Sequence, residues 1–200
     1  MKKKLRRSCG IPSWRTKLGV YLDILYEIIK ALWLLIPLYA ANGFPVLVKG
    51  KVPIDFKKTW SDGKRIFGDG KTIEGFIIGI LAGIFYGGIL WILYPKFNSI
   101  AIYYGFELPY INPLNALILS FSALSGDLIG SFIKRRISLE RGADAPILDQ
   151  TNFILSATMI GLLFFKITVI MFLFMIIFTI IVHRITNIIS YLIKLKSVPW

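Results

Sequence analysis

Residues 125–152 read SGDLIGSFIKRRISLERGADAPILDQTN and place four basic side chains and four carboxylates between two strongly apolar stretches. Asp127 lies inside the first of these stretches, where an ion is expensive to bury and a carboxylate is by default a functional candidate. At helical spacing Asp127, Gly130, Ser131 and Lys134 share one face, so an anion, a hydroxyl and a cation point the same way. Asp149 opens the sequence DQTN just after Pro146, and Asn152 follows one turn later, giving two oxygen donors at i and i+3. A hard divalent cation such as Mg²⁺ takes oxygen ligands, characteristically one or two carboxylates plus phosphate oxygens, which makes Asp127, Asp149 and Asn152 the metal candidates. Plainer alternatives stand beside this reading. Asp127 can pair with Lys134 or Arg135 or accept from Ser125 or Ser131, and Asp149 suits a helix start, where the dipole favours negative charge.

A second group of candidates lies upstream in SDGKRIFGDGKTIEG, where Gly63, Gly68, Gly70 and Gly75 alternate with Lys64, Arg65, Asp69, Lys71 and Thr72. Glycines let backbone N–H groups approach a phosphate, and Lys, Arg and Thr supply further donors at its edge. The spacing is not that of a Walker A loop, although Gly70-Lys71-Thr72 resembles its end. Two Asp-Gly turns in an exposed basic loop would look similar. Further upstream, AANGFPVLVKG puts Asn42, Gly43 and Pro45 where an apolar helix should stop, which is itself the plain alternative to a binding role. Together the two segments offer phosphate contacts opposite oxygen ligands for a metal, as a nucleoside triphosphate meeting a lipid phosphate requires.

The elements that must position these groups are membrane helices. Of the 200 residues 56% are hydrophobic and 14% aromatic, the composition of an all-α integral membrane protein rather than a soluble domain. Spanning the hydrocarbon core takes about 20 mostly apolar residues, and the pattern gives spans near 22–44, 73–94, 113–133, 147–165 and 167–187. Five spans are expected, with four as the alternative, because the final apolar run from Pro146 to about Val182 is too long for one helix and should turn near Lys166. Pro37 is expected to kink the first span. Gly75, Gly79, Gly83 and Gly87 recur every four residues and give the second span a smooth packing face. After Val182, HRITNIISYLIKLK keeps Ile185, Ile188, Ile189, Leu192 and Ile193 at helical spacing and is expected to continue as an interfacial helix. The domain reading is a basic segment at 1–21 followed by one polytopic catalytic domain at 22–200, with no soluble domain or internal repeat.

The second and third spans carry the chain across and back, so the loops at 45–72 and 134–146 must share a side. Both are rich in Lys and Arg, whereas 95–110 has Lys96 and Glu107, and the positive-inside rule therefore assigns the charged pair to the cytoplasm. Five spans then put the N-terminus outside and the C-terminus inside. Against this, the first 17 residues carry seven basic side chains. Either the first span does not fully cross, or the two internal loops outweigh it, or the native start lies nearer Leu18 or Val20, which an intact first peptide in native protein would refute. The apolar run after this basic start is long, contains Asp23, Glu27 and Lys30, and has no small-residue cleavage site, so it reads as retained.

Formal net charge is +13, which suits anionic headgroups or anionic ligands, but no nucleic-acid-binding motif accompanies it. One cysteine, Cys9, and one histidine, His183, exclude an intrachain disulfide and a Cys/His zinc site built within the chain.

The stretch SGDLIGSFIKRR, followed by Pro146 and DQTN, resembles the signature of the CDP-diacylglycerol synthases: GDL, then S-x-x-K-R, a loop with Pro, then D-R-x-D. ANGFPVLVKG and DGKRIFGDGKT bring it closest to the archaeal branch, the CDP-archaeol synthases, over nearly the whole chain after about residue 30. The resemblance implies transfer of CMP from CTP to 2,3-di-O-geranylgeranylglycerol 1-phosphate, with pyrophosphate released and Mg²⁺ as cofactor. By similarity Asp127 and Asp149 would hold metal, Lys134 would act with them, and Lys134, Arg135 and Arg136 would meet phosphate. Asn42, Pro45, Lys64, Arg65, Gly68, Asp69, Lys71, Thr72 and Ser131 would complete the nucleotide and phosphate contacts. Two departures stand out: Gln150 replaces the motif's Arg, and Asn152 replaces its second Asp, keeping an oxygen but losing a charge. The alternative from another class is a transporter or channel for an anionic metabolite, with Asp127, Lys134 and Arg135 along its pathway. The pattern of the CDP-alcohol phosphatidyltransferases is absent.

Overall fold

The computed structural model describes residues 13–139 and 145–194, with residues 13–18 and 146–150 described as backbone alone. Five helices follow in order: α1 Ser13–Gly43, α2 Ile73–Tyr103, α3 Pro113–Arg136, α4 Pro146–Gly161 and α5 Val169–Leu192, with a 3₁₀ turn, Phe44–Leu47, after α1. Each boundary has a local cause. Thr72 caps α2 by accepting from Gly75 N at 3.2 Å, Asn112 caps α3 by accepting from Asn115 N at 2.8 Å, and Thr168 caps α5 by accepting from Met171 N at 3.2 Å. Pro113 and Pro146 open α3 and α4, where a missing N–H costs nothing.

Three helices outrun the expected spans. α1 begins at Ser13, so its first turns lie within the expected basic segment 1–21, while residues 1–12 are outside the described residues. α2 runs through Pro95 to Tyr103, where a loop from 95 was expected. Tertiary contact overrides the proline there: Phe97 packs on Trp33 of α1 with ring centroids 5.8 Å apart, Ala101 is buried, and Asn98 accepts from Leu108 N at 2.9 Å. α5 continues unbroken through the segment after Val182 to Leu192. In the other direction α4 has 16 residues, a rise of about 24 Å, and among the described residues four helices reach membrane length. The turn joining α4 to α5 falls at 162–168, as the Lys166 expectation had it, and exposes Leu162, Leu163 and Phe164. A bundle whose outward residues are this apolar needs lipid around it.

Small residues let the helices approach. On α2, Gly79 faces the Ala41 carbonyl and Leu124, Gly83 faces Ser120, and Gly87 faces Ala116, so the glycine face lies against α1 and α3 as its spacing implied. On α3, Gly126 and Gly130 face Asn152 and Ser156 of α4. The buried centre joins Leu34, Leu35 and Leu38 to Leu119, Phe153, Ile154, Met171 and Met175. α5 packs on α1 and α4, and Tyr39 of α1 is hydrogen-bonded to Thr179 at 2.9 Å.

Candidate active site

The loop between α1 and α2 is built around one carboxylate. Asp55 has a side chain with no exposure and accepts five hydrogen bonds: from Lys57 N, Phe67 N and Gly68 N at 2.9–3.0 Å, and from Arg65 Nε and Nη2 at 3.2 and 2.7 Å. Burial pushes this carboxyl up, but Arg65 and the Gly68, Phe67 and Lys57 N–H groups outweigh it and hold the group well below the usual carboxylate range. Arg65 also pairs with Asp69 at 2.8 Å, so two carboxylates hold the guanidinium. Around this centre a narrow hairpin forms, with Trp60 N donating to Lys64 O at 2.8 Å and Gly63 turning the chain at φ +76°. Ile54 N donating to Lys71 O at 2.8 Å closes the loop's base, and Glu74 ties it to α2 by accepting from Lys51 N at 3.0 Å.

The hairpin docks on the end of α3, bringing the two charged segments together as the topology required. Arg136 donates to Asp62 at 2.7 Å and to the Arg65 carbonyl at 2.6 Å, and its guanidinium lies 4.8 Å from the Phe132 ring centre. Lys64 returns the contact, donating to the Arg136 carbonyl at 3.2 Å and to Ser138 Oγ at 2.6 Å. Trp60 meets Phe132 edge-on. Of the expected phosphate ligands, then, Arg136 is spent on docking, and Lys64 docks while still bordering a cavity.

Two cavities open beside this junction. The first, about 600 Å³, takes walls from Asn42, Pro45, Thr72, Leu124 and Leu128, and from His183 and Asn187 of α5. The second, about 540 Å³, is lined by the loop at Lys64, Arg65 and Gly68 and by Ser131, Arg135 and Ser138. Asp69, Gly70, Lys71, Asp127 and Lys134 line both. At this shared wall Lys71 is ion-paired with Asp127. Ser131 donates to the Asp127 carbonyl at 3.0 Å, the usual bond of a helical serine to the preceding turn.

Two features of the second cavity suit an anion. Arg135 donates through Nη1 to the Leu139 carbonyl at 2.7 Å, but its buried Nε–H has no partner among the described residues. Gly68, at φ +94°, brings its backbone beside that same nitrogen, close enough that a Cβ there would lie 3.8 Å from it.

The metal candidates divide. Asp127 stands at the shared wall. Asp149 falls in the first turn of α4, and its side chain lies outside the described residues. Asn152 packs against Gly130, one turn along α3 from Asp127, and borders neither cavity. Among the described residues no three Asp, Glu, His or Cys side chains cluster as a ready metal cage. The Asp127 carboxylate, which already engages the Lys71 ammonium, is an oxygen donor of the kind that fits Mg²⁺ completed by substrate phosphates.

Asp55, Glu74, His183 and Asn187 are the site residues that sequence reasoning passed over. An Asp between Ile54 and Phe56 was the available signal for the first, and two polar residues at i and i+4 in an apolar helix were the signal for the last two.

Comparison with known proteins gives a consistent picture. A model of the CarS-like CDP-archaeol synthase family matches residues 22–200. The CDP-archaeol synthase of Pyrococcus furiosus is 42% identical over 176 residues, covering 88% of this chain and 100% of the relative. That of Archaeoglobus fulgidus is 44% identical over 177 residues, covering 86% and 98%. A solved structure described as an intramembrane enzyme of archaeal membrane lipid biosynthesis superposes with a TM-score of 0.69 at 33% identity, covering 80% of this chain and 94% of that one.

Proposed function

The chain belongs to the CDP-archaeol synthase family, and we propose that its two cavities hold the two substrates with their reacting phosphates at the shared wall of Lys71, Asp127 and Lys134. The enzyme is a membrane-embedded cytidylyltransferase that moves CMP from CTP to a lipid phosphate. The observation that carries the site reading is the pair of cavities meeting at two carboxylates, Asp69 and Asp127, and two lysines. A transporter for an anionic metabolite finds no support among these relatives.

An oxygen of the lipid phosphate attacks the α-phosphorus of CTP, the bond from that phosphorus to the bridging oxygen breaks, and pyrophosphate leaves with the electron pair. No protein nucleophile is required. Both reactants are anions, so the barrier lies in bringing them together and stabilising charge on the leaving group. Lys71 and Lys134 neutralise the approaching phosphates. Arg135, through its unpartnered Nε–H, and the Gly68 backbone bind phosphate in the second cavity, with Arg65, Asp69, Lys64 and Ser131 on its walls. Asn42 and Thr72 make the corresponding contacts in the first, with Pro45 shaping its wall. Asp127 and Asp149 would hold Mg²⁺, which would supply positive charge to phosphate oxygens, with the Asn152 amide of α4 packed against Gly130 as the remaining oxygen candidate. With a cation held at Asp127, the Lys71 ammonium that now pairs with this carboxylate would be available to phosphate.

The lipid substrate is the geranylgeranyl diether of glycerol 1-phosphate, a choice supported by the archaeal relatives. The charged loops face the cytoplasm, with the N-terminus outside and the C-terminus inside, a placement supported by the Lys- and Arg-rich loops 45–72 and 134–146 against the sparsely charged 95–110. The test is transfer of label from [α-³²P]CTP into the lipid phase by the purified chain, offered geranylgeranyl-ether or diacyl lipid phosphate with and without Mg²⁺. Mg²⁺-dependent labelling that favours the ether lipid is expected. Labelling that survives chelation contradicts the metal assignment, equal use of both lipids contradicts the chain preference, and no labelling from folded protein contradicts the reaction.

A further inference from the structure

Residues 56–60, the first arm of the hairpin, line neither cavity. This stretch nevertheless presents Phe56 at 63% exposure and Trp60 at 51%, with Lys57 and Lys58 exposed between them. Its backbone is strained to do so. Phe56, at φ +48°, and Lys57, at φ +63°, are successive non-glycine residues in the left-handed region that L side chains seldom adopt. Phe56 N donating to Pro53 O at 3.0 Å, Lys58 N donating to Asp55 O at 2.8 Å and the Asp55 carboxylate accepting from Lys57 N hold the turn. The end of α3 fixes where this turn lies. Ile129, Ile133 and Ile137 are exposed in one stripe there, and Lys134, Arg135 and Arg136 close the helix, as in a span leaving the hydrocarbon. Phe132 lies beside that stripe, and Trp60 packs on it edge-on with ring centroids 5.4 Å apart. Thr59 bridges to Arg65 in extended backbone, so Lys58 and Trp60 project to the same side of the hairpin.

We propose that residues 56–60 are a membrane-surface anchor, with Phe56 and Trp60 seated at the boundary of acyl chains and headgroups and Lys57 and Lys58 bound to anionic headgroups of the same leaflet. Three observations select a lipid surface as the partner. Trp60 docks beside the lipid-facing stripe of α3, which puts the hairpin at the level where that helix leaves the hydrocarbon. Aromatic rings with an apolar body concentrate at that level, and lysines beside them attract anionic headgroups. Among the described residues neither the Lys57 nor the Lys58 ammonium is paired, so both charges remain for an outside anion. The anchor has a consequence for the site. The same hairpin carries Lys64, Arg65, Phe67 and Gly68 of the second cavity, and Asp55 ties the two parts together by accepting from Lys57 N, Phe67 N and Gly68 N. Headgroup contact at 56–60 therefore steadies the cavity wall, whichever substrate occupies it.

Cys9 is the one cysteine of the chain, so a Cys9→Ser background accepts a single nitroxide at Phe56→Cys. In full-length protein in nanodiscs of phosphatidylcholine and phosphatidylglycerol, the label is expected to collide more with oxygen, which partitions into the bilayer, than with a water-soluble nickel chelate. Greater collision with the chelate puts the turn in water, open to a soluble partner instead, and overturns the inference. Dipolar broadening between labels puts a second copy on this surface and overturns it equally. The native chain supplies a second measurement that needs no variant to fold. Hydrogen exchange at the Trp60 and Gly68 amides should be about fivefold slower in nanodiscs containing phosphatidylglycerol than in phosphatidylcholine alone. Equal rates in the two lipids contradict headgroup binding. The double variant Lys57→Gln, Lys58→Gln should lose the difference between lipids and keep the labelling activity of the native chain in phosphatidylcholine. A difference that survives the double variant removes these lysines from the contact.

Discussion

In the loop between α1 and α2, one fully buried carboxylate gathers five hydrogen bonds and organises residues 55–68 around itself. Beside it, in the seam where α2 meets α1 and α3, the contacts are made by absent side chains: Gly79 against the Ala41 carbonyl, Gly83 against Ser120, Gly87 against Ala116. The loop lies among polar groups that water would otherwise satisfy, so its specificity comes from directed bonds to a single charge. Within lipid, burial gains little over lipid contact, and close approach of backbones decides the packing. The active-site wall sits where the two regimes join, Lys71 coming from the loop and Asp127 from a packed helix. The loop should therefore fail when a charge is removed, and the seam when an atom is added.

The largest effect is expected from Asp55→Ala. It leaves Arg65 and three backbone N–H groups without their acceptor, a loss of about 3–5 kcal/mol for one broken buried pair. Hydrogen exchange at Phe67 and Gly68 should become fast and KM for CTP should rise, while exchange in α3 stays slow. Protection retained at Gly68 would show that the hairpin does not depend on this carboxylate. Next comes Gly79→Val. Its Cβ would lie 2.6 Å from the Ala41 carbonyl oxygen, a backbone atom that cannot swing aside. Overpacking of that kind costs about 1–3 kcal/mol, and thermal unfolding in detergent should show it with KM for CTP unchanged in the folded fraction.

A smaller effect follows pH. Because the folded Asp55 carboxyl titrates below its unfolded value near about 3.9, its stabilisation is complete above that pH. It is lost only as pH falls from there through the depressed folded value. Loop protection should be level from neutral pH down to about pH 5 and decline below about pH 4, and Asp55→Asn should abolish that acid dependence. A decline centred near neutral pH would assign the loop's titration to another group. The smallest change expected is in Asn152→Asp, which adds a charge on α4 against Gly130, itself one turn along α3 from Asp127. Activity should persist with a Mg²⁺ requirement lowered a few-fold, and an unchanged requirement would reduce Asn152 to packing against Gly130.

Much of the seam was legible in the sequence because helical period and glycine spacing are local signals. The stop at Asn42–Pro45, the glycine face of α2 and the shared side of the two charged segments could all be read there. Asp127, Ser131 and Lys134 were likewise readable as one face, and they line one cavity. The loop was less legible, since its bonds join residues that sequence cannot pair. Asp55 is defined by Arg65, Phe67 and Gly68, ten or more positions away, and Arg136 is diverted from phosphate by Asp62 and the Arg65 carbonyl. The extension of α2 beyond Pro95 was hidden for the same reason, because Trp33 and Phe97 meet only in the folded chain.

The central claim, that both substrates react at the Asp127 wall, is tested most directly by single-turnover labelling of lipid phosphate from [α-³²P]CTP in Asp127→Asn. Both substrates should be saturating and the melting temperature recorded alongside. A reaction site there predicts a rate lowered by roughly 10²–10³-fold in a protein that melts within a few degrees of the native chain. A rate equal to that of the native chain would contradict the site.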